Sequence, residues 1–304
     1  MSKFFEAVKR TETNLNGVEL PFTTAEIPGP PERLCQDSNV PSESVDPTRS
    51  PGAPLQAPAG TERPVPSATY RTVRIRISAQ APILPFDGSH LNAAEHYRMI
   101  RTKIVQHPAN PRVLCISSTS MGDGKTVSSL NIASSLALKH GSTALLVDVD
   151  LRRPQLATLL GLADRPGLAD VLAGTCTLEQ AIVQIAELPS LYFLPAGFRA
   201  QNPAELLDSD GWRNLIASFR RDFDFTVMDS PPVGIVTDYD LIQAVCDGVA
   251  LIARPGHSDR ALLQKGVAQM PRDKFLGLVV NCTEDWFLWH PHPNYYGSYY
   301  TKAD

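Results

Sequence analysis

Val113-Leu-Cys-Ile-Ser-Ser-Thr119-Ser120-Met121-Gly122-Asp123-Gly124-Lys125-Thr126-Val127-Ser-Ser-Leu-Asn-Ile-Ala133 is the stretch on which the fold turns. Val113 to Ile116 is short, apolar and rich in strand formers, which predicts a buried strand, and from Val127 onward the pattern predicts a helix. A tight turn ending Gly122-Asp123-Gly124-Lys125-Thr126 lies between them. A strand, a glycine turn and a helix N-terminus together make a phosphate cradle. Backbone N–H groups converge on the anion, the helix dipole favours negative charge, and glycine lets the backbone come close. On this reading Met121 to Val127 line the cradle, Lys125 reaches the β- and γ-phosphates of a nucleotide, and the Thr126 hydroxyl ligates Mg²⁺. Thr119 stands where the strict G-x-x-x-x-G-K-[ST] pattern has its first Gly. That first Gly is the most replaceable part of the pattern.

Downstream, short apolar runs alternate with helical ones: Thr143–Val147, Pro154–Leu160, Thr177–Ile185, Leu191–Leu194, Ala204–Phe219, Phe225–Met228, Tyr239–Val245, Gly248–Ala253, Arg260–Gln269 and Leu276–Val280. The alternation predicts an α/β fold, a mostly parallel sheet with helices on both faces and a ligand site at the carboxyl ends of the strands. Thr177–Ile185 and Ala204–Phe219 each count as a single element in this scheme.

Two strand ends carry acids. Ala144-Leu-Leu-Val147 runs into Asp148-Val-Asp150-Leu-Arg152-Arg153-Pro154, and Phe225-Thr-Val-Met228 into Asp229-Ser-Pro-Pro232. Carboxylates at the mouth of a buried strand suit Mg²⁺, which takes one or two of them beside phosphates and waters. One of the first pair is also placed to accept a proton from an attacking hydroxyl. Thr126, Asp148, Asp150 and Asp229 are thus the candidate metal ligands, and Lys125, Asp148, Asp150 and Asp229 the candidate catalytic group.

Upstream, residues 1–14 hold a short amphipathic peptide with Phe4, Phe5 and Val8 on one side, and residues 15–81 are rich in Pro and Ser and read as a disordered linker. Within that linker Thr72–Ile77 alternates like an edge strand. Residues 82–284 then form the nucleotide-binding domain, and residues 285–304 a tail. Four of the eight tyrosines, Tyr295, Tyr296, Tyr299 and Tyr300, fall in the last ten residues beside Gly and Ser, which reads either as a mobile tail within reach of an active site or as an aromatic patch that binds a partner or packs on the domain. The net charge of −4 argues against a nucleic-acid partner. Five scattered cysteines make neither a disulfide framework nor a zinc pattern, so a cytoplasmic setting is expected. No apolar run approaches the roughly 18 residues that cross a bilayer.

Taken together, the glycine turn, Asp148-Val-Asp150-Leu-Arg-Arg-Pro154 and Val227-Met-Asp229-Ser-Pro-Pro232 resemble the three Walker-type motifs of the bacterial tyrosine kinases. These are P-loop proteins of the deviant-Walker class that includes ParA and MinD. Glu95-x-x-Arg98-x-x-Arg101 is similar to the helix motif through which that family packs into rings. The terminal tyrosines resemble its autophosphorylation cluster. Gly167-Leu-Ala-Asp-Val-Leu-Ala-Gly174 and Asn202-Pro-Ala-Glu-Leu-Leu207 also look typical, and the resemblance spans residues 82 to 304.

The resemblance implies an ATP- and Mg²⁺-dependent protein-tyrosine autokinase that regulates capsule or exopolysaccharide synthesis and export. Asn281 would read the adenine, and Glu95, Arg98 and Arg101 would join subunits of a homo-oligomeric ring. The tail of one subunit would offer Tyr295, Tyr296, Tyr299 or Tyr300 to its neighbour. Implied partners are a transmembrane activator of the polysaccharide co-polymerase type, which would hold the chain at the inner face of the membrane, and a cognate tyrosine phosphatase. The chain resembles the stand-alone form, since the membrane-spanning helices fused to many relatives are not in it. The rival readings are a ParA/MinD-like ATPase and a nucleotide-binding scaffold. Ser120, where MinD-type ATPases carry a signature Lys, counts against the first, and the intact acids against the second.

Overall fold

The computed structural model describes residues 70–77, 91–162, 165–198 and 200–282. In it one sheet carries the strands β1 (Arg71–Val73), β2 (Val113–Ser118), β3 (Ala144–Asp148), β4 (Val183–Ile185), β5 (Leu191–Leu194), β6 (Phe225–Asp229), β7 (Gly248–Ala253) and β8 (Phe275–Val280). Their order is β1-β4-β5-β3-β6-β2-β7-β8. Neighbours from β5 to β8 are parallel. The β1–β4 pair is parallel within itself and joins β5 antiparallel, so the mostly parallel sheet is as expected.

Alternate residues of the central strands sort onto opposite faces, as the two-residue period of a strand requires. Leu114, Ile116, Leu146, Phe193, Val227 and Ile252 meet one set of helices. Val113, Cys115, Leu145, Val147, Met228 and Leu251 meet the other. All twelve are at most 1 % exposed, and full burial of such a side chain contributes about 1.5–3 kcal/mol. The central strands therefore hold the molecule together, and their carboxyl ends are rigid ground for a site.

The first face carries α1 (Leu91–Val105), α2 (Lys125–Ala137) and α3 (Leu156–Leu159). Short helices α4 (Leu168–Leu172), α5 (Leu178–Ala181) and α6 (Pro203–Leu207), with the longer α7 (Asp210–Asp222) and α8 (Asp238–Val245), pack on the second. Helix α9 (Arg260–Gln269) links β7 to β8. Helix α2 is buried from Ser128 to Ala137, which explains its Ser and Ala content. Small side chains let it fit between the sheet and α1.

Three expectations need correction. The stretch from Tyr70 to Val73, expected within a linker over 15–81, is folded. Tyr70 is 8 % exposed and packs against Tyr192 and Phe223, and Arg71 to Val73 pair in register with Val183 to Ile185. The expected edge strand thus forms at 71–73 and belongs to the folded unit. Thr177–Ile185 is not one element but a helical turn followed by a strand. A Thr177–Gln180 capping box starts α5, but the β-branched Ile182-Val183 leaves it in extended geometry, and β4 pairs on both sides. Ala204–Phe219 is two helices. The Ser209 hydroxyl accepts the Trp212 N–H at 3.2 Å, capping α7 and ending α6 at Leu207. Residues 1–14 and the tail 285–304 lie outside the described residues. Among the described residues no helix is long and apolar enough to cross a membrane.

Candidate active site

The turn between β2 and α2 is shaped by two left-handed glycines, Gly122 at φ +86° and Gly124 at φ +88°. Gly124 is the N-cap of α2. A Cβ on Gly124 would sit 1.9 Å from the Asn281 Nδ2 atom, so a side chain here would strain the left-handed backbone and also displace the Asn281 amide. Gly124→Ala is accordingly expected to cost about 1–2 kcal/mol in backbone strain alone and to weaken Mg·ADP binding severely. Urea unfolding and ADP titration check both, and unchanged ADP affinity would show that this turn is not the cradle.

Lys125 and Thr126 open α2 and point at β6. The Lys125 Nζ lies 2.7 Å from Asp229 Oδ1, and the Thr126 hydroxyl donates to Asp229 Oδ2 at 2.9 Å. Asp229, 1 % exposed, also accepts from the Ser129 hydroxyl at 2.9 Å. Ser129, one turn along α2 from Lys125, escaped the sequence reading. Its signal is only its position, which faces the sheet.

Asp148 stands directly opposite Asp229 in the β3–β6 register. Neighbouring strands lie about 4.8 Å apart, so the two carboxylates share one site. Asp148 is fully buried, and its Oδ2 accepts the N–H groups of Gln155 and Leu156 at 3.2 and 3.1 Å, at the start of α3. Its Oδ1 is buried without a protein hydrogen-bond partner. Burial, reinforced by the charge of Asp229, pushes the Asp148 carboxyl up to about 8. Asp150, two residues on, is 9 % exposed and accepts the Arg153 N–H at 3.1 Å, and burial raises its pKa against the opposing pull of Lys125.

No three-carboxylate metal cage exists among the described residues. The donor set fits a cation of another kind. The unpartnered Asp148 oxygen, Asp229 and the Thr126 hydroxyl are hard oxygen donors beside a phosphate cradle, the setting in which Mg²⁺ keeps waters and phosphates as its remaining ligands.

Arg152, inside the Asp148–Pro154 segment, makes a two-pronged pair with Asp238 at 2.7 and 2.9 Å. Asp238 is 1 % exposed at the start of α8, so this pair pins the segment that carries Asp150. The Asp123 carboxylate, fully buried, accepts from Ser120 N at 3.1 Å and contacts the Ser258 hydroxyl at 2.6 Å and His257 Nδ1 at 2.9 Å. Asp238, His257 and Ser258 carry no motif, and only the fold brings them to the site. Met121 is 63 % exposed and touches Arg153, and Val127 is half-buried.

Asn281 follows β8, and its side-chain amide donates to the Asp123 carbonyl at 2.9 Å. The residue expected to read adenine is thus tied to the cradle. On α1, Glu95 and Arg98 pair with each other on the exposed side. Arg101 instead donates to the Ser135 carbonyl of α2 at 3.1 Å, so part of this helix motif serves packing within the chain. Tyr295, Tyr296, Tyr299 and Tyr300 lie outside the described residues.

Residues 111–254 match the AAA domain family. The tyrosine-protein kinase CpsD of Streptococcus agalactiae is 32 % identical over 190 residues, which is 62 % of this chain and 82 % of that protein. The tyrosine-protein kinase YwqD of Bacillus subtilis is 31 % identical over 209 residues, 67 % of this chain and 86 % of that one. Among solved structures, the VpsO kinase domain superposes with a TM-score of 0.58 at 31 % identity, over 63 % of this chain and 95 % of that domain. The stretch matched by the AAA domain family contains the glycine turn and all three acids, and the kinases match along most of their own length; the chain therefore belongs to the bacterial tyrosine-protein kinase family.

Proposed function

We propose that this chain uses ATP to phosphorylate tyrosines of its own C-terminal cluster, each tail serving the site of a neighbouring copy. The observation that carries the reading is the placement of Asp148 and Asp229 opposite one another, with Lys125 and Thr126 facing them across the glycine turn. Lys125 pairs with Asp229 in this structure and would turn to the β- and γ-phosphates of a bound nucleotide. Thr126, Asp148 and Asp229 would hold Mg²⁺, which when bound neutralises charge on the β- and γ-phosphates.

Asp150 is the better proton acceptor of the first two acids. It lies nearer the surface than Asp148, and its raised pKa brings it closer to that of a phenol, which favours general-base work. The tyrosine oxygen bonds to the γ-phosphorus, the bond from that phosphorus to the β–γ bridging oxygen breaks, ADP leaves, and the tyrosine proton passes to Asp150. Positioning and charge account for most of the rate.

The family resemblance supports a role in capsule or exopolysaccharide synthesis, ring assembly through the exposed Glu95–Arg98 side of α1, and recruitment to the membrane by a transmembrane partner. Phosphorylated tails repel the acidic site and release the ring. The test is intact mass after incubation with ATP and Mg²⁺, on the full chain and on one ending at residue 294. Added multiples of a phosphoryl group that vanish with the last ten residues are expected. Phosphate release with no added mass would instead favour the ParA/MinD-like ATPase.

A further inference from the structure

The phosphate cradle is held from outside itself. Asp123, between the two left-handed glycines, is fixed at several atoms at once. Its carbonyl accepts from Asn281 Nδ2 at 2.9 Å, and its Oδ2 accepts from Ser120 N at 3.1 Å. Its Oδ1 accepts from the Ser258 hydroxyl at 2.6 Å and faces His257 Nδ1 at 2.9 Å. A buried carboxylate offers only acceptors, so His257 Nδ1 carries the proton and donates it. The Ser258 hydroxyl in turn accepts the Arg254 N–H at 2.7 Å, and the His257 and Ser258 N–H groups bond to the Arg254 carbonyl. The donors thus come from a closed turn that joins β7 to α9. The imidazole also covers Gly122, with Cε1 and Nε2 both 3.3 Å from where a Cβ on that glycine would stand.

We propose that His257 and Ser258 are positioning residues for nucleotide binding. Through Asp123 they hold the Gly122–Gly124 turn in the conformation that aims its N–H groups at the phosphates. This inference rests on the reading that the turn binds nucleotide. The geometry favours a binding role over a core role because the clamp is one-sided. Asp123 is fully buried, while His257 is 42 % exposed and contributes little to the core. An isolated buried carboxylate is costly, whereas one that accepts several hydrogen bonds is tolerated, so the turn keeps its shape only while these donors stay in place.

The test compares His257→Leu, which removes the donor, with His257→Asn, which keeps an N–H donor of similar reach. Mg·ADP affinity and ATP kinetics are measured on the full chain. His257→Leu is expected to raise the Kd for Mg·ADP and the KM for ATP about tenfold, the scale of a lost hydrogen bond to a charged group, while kcat falls far less. His257→Asn should recover most of that loss. The double variant Asp123→Asn/His257→Leu should bind no worse than the weaker of the two single variants, since both act on one contact. Unchanged affinity in His257→Leu, or fully additive effects in the double variant, would overturn the proposal. If the unsubstituted chain binds no ADP, the nucleotide reading itself falls and this inference with it; a loss confined to the His257 and Asp123 variants separates the two.

Discussion

Lys125→Met is expected to lower phosphotyrosine formation by about 10³-fold, the scale seen when one preorganised donor to a developing charge is removed. The structure adds a second consequence. Lys125 is the cation facing Asp229, which is 1 % exposed, and without it the hydrogen bonds left to that carboxylate among the described residues come from the neutral Thr126 and Ser129 hydroxyls. Leaving a buried charge without its partner costs several kcal/mol unless the group takes up a proton. The variant should therefore be inactive and also less stable without nucleotide. Anti-phosphotyrosine detection and thermal unfolding measure the two effects. Persistent labelling in Lys125→Met would remove the phosphoryl-transfer assignment, whereas lost labelling at unchanged stability would show that the Lys125–Asp229 pair is dispensable to the fold.

Asp148→Asn should separate stability from activity. The Asp148 carboxyl rises from 3.8 to about 8 on folding, because burial and Asp229 both disfavour its charge. Between those values the folded chain binds more protons than the unfolded chain. By linkage, stability then falls as the pH rises across that window and levels off above about 8. An Asn keeps an oxygen for the Gln155 and Leu156 N–H groups and never ionises. The melting temperature of Asp148→Asn should thus gain on that of the parent from pH 5 to pH 8, then hold a constant lead. Its kinase activity should fall about 10²-fold, the scale on which removing one preorganised electrostatic contact from an active site acts. A variant that is destabilised equally at every pH would mean that Asp148 is an ordinary structural acid.

Much of the fold was legible in advance because the central strands are buried on both faces. Such strands must be continuously apolar, so β2, β3, β6 and β7 stand out without any tertiary knowledge. The acids at their ends are equally legible, since a charged residue that closes an apolar run has no packing role there. What failed was short or balanced. Thr72–Ile77 reads as an edge strand, but the linker composition around it hides that it belongs to the folded unit, which the pairing of Arg71–Val73 with β4 decides. Thr177–Ile185 contains both a helix start and a β-branched run, and pairing with β1 and β5 decided between them.

Local chemistry by itself picked out the glycine turn, Lys125, Thr126 and the three acids as candidates, because each carries its reason in its immediate neighbours: left-handed backbone needs Gly, an anion would need a cation and N–H groups, a metal would need oxygen. Tertiary structure alone decided which groups meet across the site. Asp148 faces Asp229 because β6 inserts beside β3, and Arg152 finds Asp238 86 residues away. His257 and Ser258 reach Asp123 because β7 lies beside β2. Those partners are set by strand order and register, and no residue spacing along the chain encodes a distance across a sheet.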